Sequence, residues 1–157
     1  MYKEAKDAYF SKYIIALKRE AYTNWVFENC HHIDFHNSFP AGLVNTHPEF
    51  GPTVKKLYEK RKEKPINKAI LNYSIGFCQS IEQCGACWAH LAKDAIADNN
   101  NRLFELSQRI ADSGCRLLLW NTDGIWYAGD EYHPDDGRED TKLGQWKHDH
   151  TNCTLLI

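Results

Sequence analysis

Long apolar runs are missing from this chain of 157 residues. Stretches such as Tyr13 to Leu17 and Leu117 to Trp120 are typical, far short of the eighteen or so residues that a membrane-crossing helix needs. No membrane partner is therefore expected. The opening residues, MYKEAKDAYF, lack the apolar core of a signal peptide, which makes the cytoplasm the expected location. Internal repeats and low-complexity segments are absent too. Excess charge of one sign is also lacking: 19 Lys+Arg stand against 21 Asp+Glu, a formal net charge of −2. A protein that coats nucleic acid or membrane by bulk charge would be more basic, so an anionic partner must be met by a local patch. A disulfide framework is missing as well. The six cysteines stand at 30, 78, 84, 87, 115 and 153 with one close pair, and without a secretion signal they read as reduced thiols. What is present is average for a folded protein, 43% hydrophobic and 25% charged, in a length that suits one compact domain.

The pattern of elements is mixed. Residues 1 to about 28 read as helix, with Tyr9, Tyr13, Leu17 and Ala21 recurring every four residues. His32-Ile33-Asp34-Phe35 reads as a short strand, and the proline and glycine of Ser38-Phe39-Pro40-Ala41-Gly42 end any regular ladder. Residues 53–62 have helical spacing, Lys64-Pro65 is a break, and Pro65 suits the first turn of a helix from Ile66 to about Cys78. A long helix from Cys87 to Asp112 stops near Ser113-Gly114. Cys115 to Trp120 and Ile125 to Tyr127 read as two strands joined by the turn residues Asn121-Thr122-Asp123-Gly124. Residues 128–142 read as loop, and Leu143 to Trp146 begins an element that the chain end cuts short. The fold class is α+β: a hairpin and one further strand, with helices beside them.

Charge is concentrated in two places. Lys55 to Lys68 holds seven basic and two acidic residues, +5 in fourteen positions, whereas Asp123 to Asp140 holds seven acidic residues and one arginine, a local −6. A basic run on a helical hairpin is a solvated face or a grip for phosphates. Asp34 at a strand end and Asp123 in a tight turn between apolar strands sit where carboxylates are costly. A cap or turn role explains either one alone. Side by side they would hold Mg²⁺, a cation that favours oxygen ligands and keeps substrate phosphates, and two metals held so would clamp an in-line displacement at phosphorus.

Three motifs in order carry a resemblance. Asp34-Phe35-His36-Asn37-Ser38-Phe39-Pro40 resembles the first palm motif of family B DNA polymerases. Lys68-Ala-Ile-Leu-Asn72-Tyr-Ser-Ile-Gly76 resembles the fingers motif of the same family. Asn121-Thr122-Asp123-Gly124-Ile125 resembles its Asp-Thr-Asp-Ser hairpin, and Leu143-Gly144-Gln145-Trp146 is similar to the phage branch. The resemblance spans residues 34–127. It implies a polymerase palm, an antiparallel sheet bearing the motif hairpin with helices on one face, and a short helical fingers hairpin. The implied division is palm over 1–51, fingers over 52–80 and palm again over 81–157, with no exonuclease or thumb domain. The implied reaction is template-directed DNA synthesis, dNMP added to a primer 3′-hydroxyl by two Mg²⁺ ions, with Mn²⁺ able to substitute. Primer-template DNA and dNTP are the implied partners, alongside further polymerase subunits or missing domains, in a phage-infected or prophage-bearing bacterial cell.

Residue by residue, the resemblance makes Asp34 and Asp123 the catalytic metal ligands, with the backbone carbonyl of Phe35 as a further ligand. Phe39 packs under the incoming sugar, Lys68 binds the triphosphate, and Asn72 and Gly76 line the nucleotide pocket. Helical spacing agrees, since 68, 72 and 76 fall at i, i+4 and i+8 on one face. Glycine at 76 lets a base pair approach the backbone. Arg61 and Lys64 are phosphate candidates on chemistry alone, and Thr122 and Gly124 would face DNA at the hairpin. The chain departs from the family pattern at Asn121, which replaces the first hairpin carboxylate, and at Ile75, where a tyrosine is frequent. Those departures leave a second reading, a degenerate palm that binds DNA or a polymerase partner without turnover. A third rests on Cys84-Gly-Ala-Cys87, whose CxxC spacing suits redox or zinc chemistry with His90, Cys30, His31 and His32 as further ligands; buried free thiols are the simpler reading. Trp120, Trp126 and Tyr127 are expected to fill the sheet, and His148-Asp149-His150 to be solvated near the terminus.

Overall fold

The structure is a computed structural model, and it describes residues 26–80, 86–134 and 142–156. The helix expected over the N-terminus lies outside these residues up to position 25. Its predicted end does not hold, because Val26–Phe35 form a ten-residue strand, β1. The remaining elements are α1 (Ser38–Thr46), α2 (Gly51–Glu59), α3 (Pro65–Gln79), α4 (Ala89–Asp112), β2 (Arg116–Asn121), β3 (Gly124–Ala128) and β4 (Trp146–Leu156). The class is α+β, with a four-stranded antiparallel sheet in the order β2-β3-β1-β4. No described helix is long and apolar enough to cross a membrane.

Three differences from the sequence reading have physical causes. Helix α1 runs through Pro40 and Gly42, where a break is expected. Pro40 is the third residue of that helix, still in the first turn, where its missing N–H costs nothing. Gly42 is required there, because a Cβ at this position would stand 2.5 Å from the carbonyl oxygen of Ala95 on α4. The element begun at Leu143 is not cut short but becomes β4, eleven residues long. It places His148 in the sheet instead of in solvent: the imidazole side chain is 5% exposed.

Length alone suggests one compact domain, but the chain folds as two compact units, 26–34 with 101–134 and 146–156, and 35–80 with 86–100 and 142–145. Each has its own apolar cluster. In the first, Phe27, Cys30 and Leu118 are buried with Trp126, Ala128, Cys153 and Leu155 against them. The C-terminal half of α4 contributes buried Leu103, Leu106 and Ile110, and Phe104 meets Trp120 of β2 edge-on at 6.4 Å. In the second, Leu43, Val54, Tyr58, Leu71, Ile75, Leu91, Ala92 and Ala95 form the core of α1, α2, α3 and the N-terminal half of α4. Buried Ser38 donates its hydroxyl to Asn99, which ties α1 to α4 with both polar groups satisfied.

Inside the first unit a polar network runs under the sheet. The Tyr132 N–H donates to the Tyr127 hydroxyl at 2.9 Å, and that hydroxyl lies 2.8 Å from His148 Nε2. On the other side of the His148 ring, Nδ1 lies 3.8 Å from Glu131. His31 is fixed as the Nε2–H tautomer: Nε2 donates to the Gly129 carbonyl at 2.9 Å, and Nδ1 accepts from the Asn152 N–H at 3.4 Å.

Candidate functional site

Both aspartates singled out by the sequence come from the central pair of strands. Asp34 is the penultimate residue of β1, and the antiparallel register sets it opposite Gly124, the residue that follows Asp123. Asn121 pairs with the same Gly124 from the other side, so the β2–β3 turn consists of Thr122 and Asp123 alone. Thr122 takes a φ of 43°, a left-handed conformation that a β-branched residue adopts only under constraint. Gly124 is then the first residue of β3. A Cβ there would stand 2.5 Å from His32 Nε2 and 2.9 Å from the Ile33 carbonyl oxygen. The close approach of β1 to the hairpin is thus a sufficient reason for this glycine.

Asp123 is partly buried, and its carboxyl is pushed up from its ordinary value near 3.8 to about 6. Burial is the main cause, the charge of Asp34 adds to it, and a hydrogen bond from its own backbone works the other way. Two carboxylates held together in this way repel one another, and a divalent cation relieves that repulsion with the hard oxygen ligands it prefers. The donor set therefore fits Mg²⁺.

Asn121 is occupied differently. His32 Nε2–H reaches Asn121 Oδ1 at 3.3 Å, and the His32 ring stacks on Trp126 at 4.6 Å. His32 Nδ1 lies 3.8 Å from Asp149. The Asp149 carboxyl is itself held below the usual range, first by its hydrogen bond to Lys147, 3.2 Å away. His32 of β1 thus holds Asn121 by one hydrogen bond, and its Nδ1 has no hydrogen-bond partner among the described residues. Sequence reasoning missed His32 as a support of the turn. The available signal was period two, since His32 stands two residues before Asp34 and shares its side of the strand.

The other predicted residues fall in the second unit. Phe35 is buried at the end of β1, and Phe39 packs against the core of α1, α2 and α3. Lys68, Asn72 and Gly76 are exposed along one face of α3. Asn72 Oδ1 accepts from the Asn37 amide at 3.1 Å, which ties this face to the residue at the start of α1, itself left-handed at φ 47°. A Cβ on Gly76 would meet nothing within 4 Å, so the backbone there is open to a ligand. Lys64 is exposed at the start of α3. Arg61 is engaged: its Nη1 donates to the Tyr58 carbonyl at 2.7 Å, and its guanidinium lies 3.6 Å over the Tyr58 ring. The segment after the hairpin turns on Gly144, φ 77°. It is fixed to His36 by two backbone bonds of 2.7 Å, Gly144 N–H to His36 O and His36 N–H to Gln145 O.

Cys84 lies outside the described residues. Cys87 is exposed while Cys30 and Cys115 are buried, and all the described cysteines are free thiols. His31 and His32 are committed to the bonds given above. Among the described residues no group of three or more His, Cys, Asp or Glu side chains is gathered for a metal ion; Asp34 and Asp123 are two. No protein-family model matches the sequence, and no curated protein matches it as a relative.

Proposed function

We propose that the chain is the palm-and-fingers core of a template-directed DNA polymerase resembling family B, adding dNMP to a primer 3′-hydroxyl. The observation that carries this reading is the aspartate pair: Asp34 at a strand end, Asp123 in a strained two-residue turn beside it, and a carboxyl pushed up to about 6 by burial and by its neighbour. Asp34, Asp123 and the Phe35 carbonyl would hold two Mg²⁺ ions, with Mn²⁺ as a substitute. Such ions, when bound, lower the pKa of the primer hydroxyl and neutralise the departing pyrophosphate. The residues of the chain supply the rest. Lys68 binds the triphosphate, Asn72 and Gly76 line the nucleotide site, and Phe39 packs against the sugar. Base pairing with the template provides specificity, so side chains that read bases are not needed. The exposed apolar stripe Ile66, Ile70, Tyr73 and Phe77 along α3 supports a further subunit or domain covering this helix.

Asn121 favours a second reading, a palm that binds DNA or a polymerase partner without turnover. Its amide oxygen is taken up by His32 and adds no charge to the pair. Primer extension with Mg²⁺ and dNTPs at low salt, run beside Asp123→Ala, separates the two. Extension that vanishes in the variant supports the polymerase. DNA binding without extension in either protein supports the binding palm.

A further inference from the structure

The second unit contains a cavity of about 690 Å³ between α1, α2 and the segment at 142–145. Lys55, Tyr58, Glu59 and Lys62 line it at i, i+3, i+4 and i+7, one continuous face. Backbone bonds from Lys60 to Lys56 and from Lys64 to Lys60 carry the helical path past the end of α2, which brings Lys62 onto this face. Arg61 lines the cavity beside them, and Lys142 comes from the 142–145 segment that His36 anchors. Four cations thus meet one acid, Glu59, among the described lining residues. Arg61 is already oriented by the Tyr58 carbonyl and ring, so little freedom is lost when its remaining donors meet a ligand. Ala41, Val44 and Leu143 give the same cavity an apolar side. The volume is that of a small-molecule site, larger than one phosphate requires.

We infer that this cavity binds a nucleotide unit, its phosphate held by Lys55, Arg61, Lys62 and Lys142 and its sugar or base set against the apolar side. It is separate from the nucleotide face of α3, since no residue of that helix lines it. On α1 its residues 41, 44 and 45 fall about 140–240° around the axis from Phe39, taking 100° per residue. The inference goes beyond the polymerase reading and does not depend on it. The ligand is a phosphate ester, either in a single strand of nucleic acid or in a free nucleotide.

The test uses the full chain in EDTA, with anisotropy of a short fluorescein-labelled oligothymidylate as the first probe and dTTP as competitor. The double variant Lys62→Gln/Lys142→Gln should lose about tenfold in oligonucleotide affinity at about 50 mM salt, and its slope of log affinity against log salt should flatten by about 1.4. Lys93→Gln, exposed on α4 and outside the cavity, should bind as the wild type does. Lys62→Arg/Lys142→Arg should retain binding, which separates lost charge from lost fold. Displacement by dTTP with the same variant dependence identifies a free nucleotide as a ligand, and oligonucleotide binding that dTTP does not displace identifies a strand. Failure of both probes to bind the wild type, or equal binding by wild type and the Gln variant with unchanged melting, overturns the assignment. Loss of primer extension alone leaves this binding intact and bears only on the polymerase reading.

Discussion

Replacing Asp123 by asparagine should make the metal-free protein more stable at neutral pH. A carboxyl that titrates at about 6 when folded and near 3.8 when unfolded binds its proton about 3 kcal/mol more tightly in the native state. Asp123 keeps some contact with water, which screens a good part of this, so about 1–2 kcal/mol is expected. The sign follows from linkage. The native state holds the extra proton, so the stabilisation is fully present below about pH 4 and is lost as pH rises through about 6. Asparagine keeps the shape without the charge, so the variant should pull ahead of the wild type across that window and melt about 2–6 °C higher at pH 7. The assay is thermal melting of both proteins in EDTA from pH 4 to 7.5, repeated at pH 7 with Mg²⁺. Added Mg²⁺ should raise the wild type by binding the native state and leave the variant nearly unmoved. A variant less stable than the wild type at pH 7 in EDTA, or a difference that does not change with pH, would refute the reasoning that joins Asp123 to Asp34.

Three further outcomes are open to simple measurement. Gly124→Ala and Gly42→Ala each place a Cβ within 3 Å of a backbone carbonyl oxygen, on Ile33 and Ala95 respectively. Each should cost about 2 kcal/mol or more in denaturant melts, because the backbone and not a flexible tip must yield. Tyr127→Phe should cost about 1–3 kcal/mol, since the Tyr132 N–H and His148 Nε2 both lose their partner in a buried site. Lys68→Ala should leave the melting temperature within about a degree of the wild type, as expected for an exposed side chain. It should nonetheless slow nucleotide incorporation by tenfold or more, with the loss appearing mainly as weaker dNTP binding.

Helices α2, α3 and α4 were legible because their punctuation is local. Pro65 opens α3, apolar spacing marks α2, and Gly114, at φ 95°, follows the end of α4. The β2–β3 hairpin was legible for the same reason, down to the position of Asp123. What the sequence hid depends on contacts made far along the chain. Val26–Cys30 carry no clean alternation, because Asn29 takes a left-handed φ of 53° and leaves Glu28 and Asn29 exposed side by side. The polar stretch 147–152 becomes part of a strand beside β1, its neighbour in the sheet. Pro40 and Gly42 look like breakers until α4 lies against them. At the candidate site the two aspartates were readable from type and position. The support that His32 gives the turn was not, because it acts through Asn121 on another strand.

The thiols give each unit its own label. Cys30, Cys115 and Cys153 belong to the first unit, Cys78 and Cys87 to the second. Burial pushes the Cys30 thiol up, so a reagent that attacks thiolate must wait for its strand to open. Exposed Cys87 reacts at once and sets the zero of time. Site-resolved mass spectrometry of the alkylated chain then times the opening of the first unit. Equal rates at buried Cys30 and Cys115 mean that this unit opens as one cooperative body, and unequal rates mean that part of it opens while the rest stays shut.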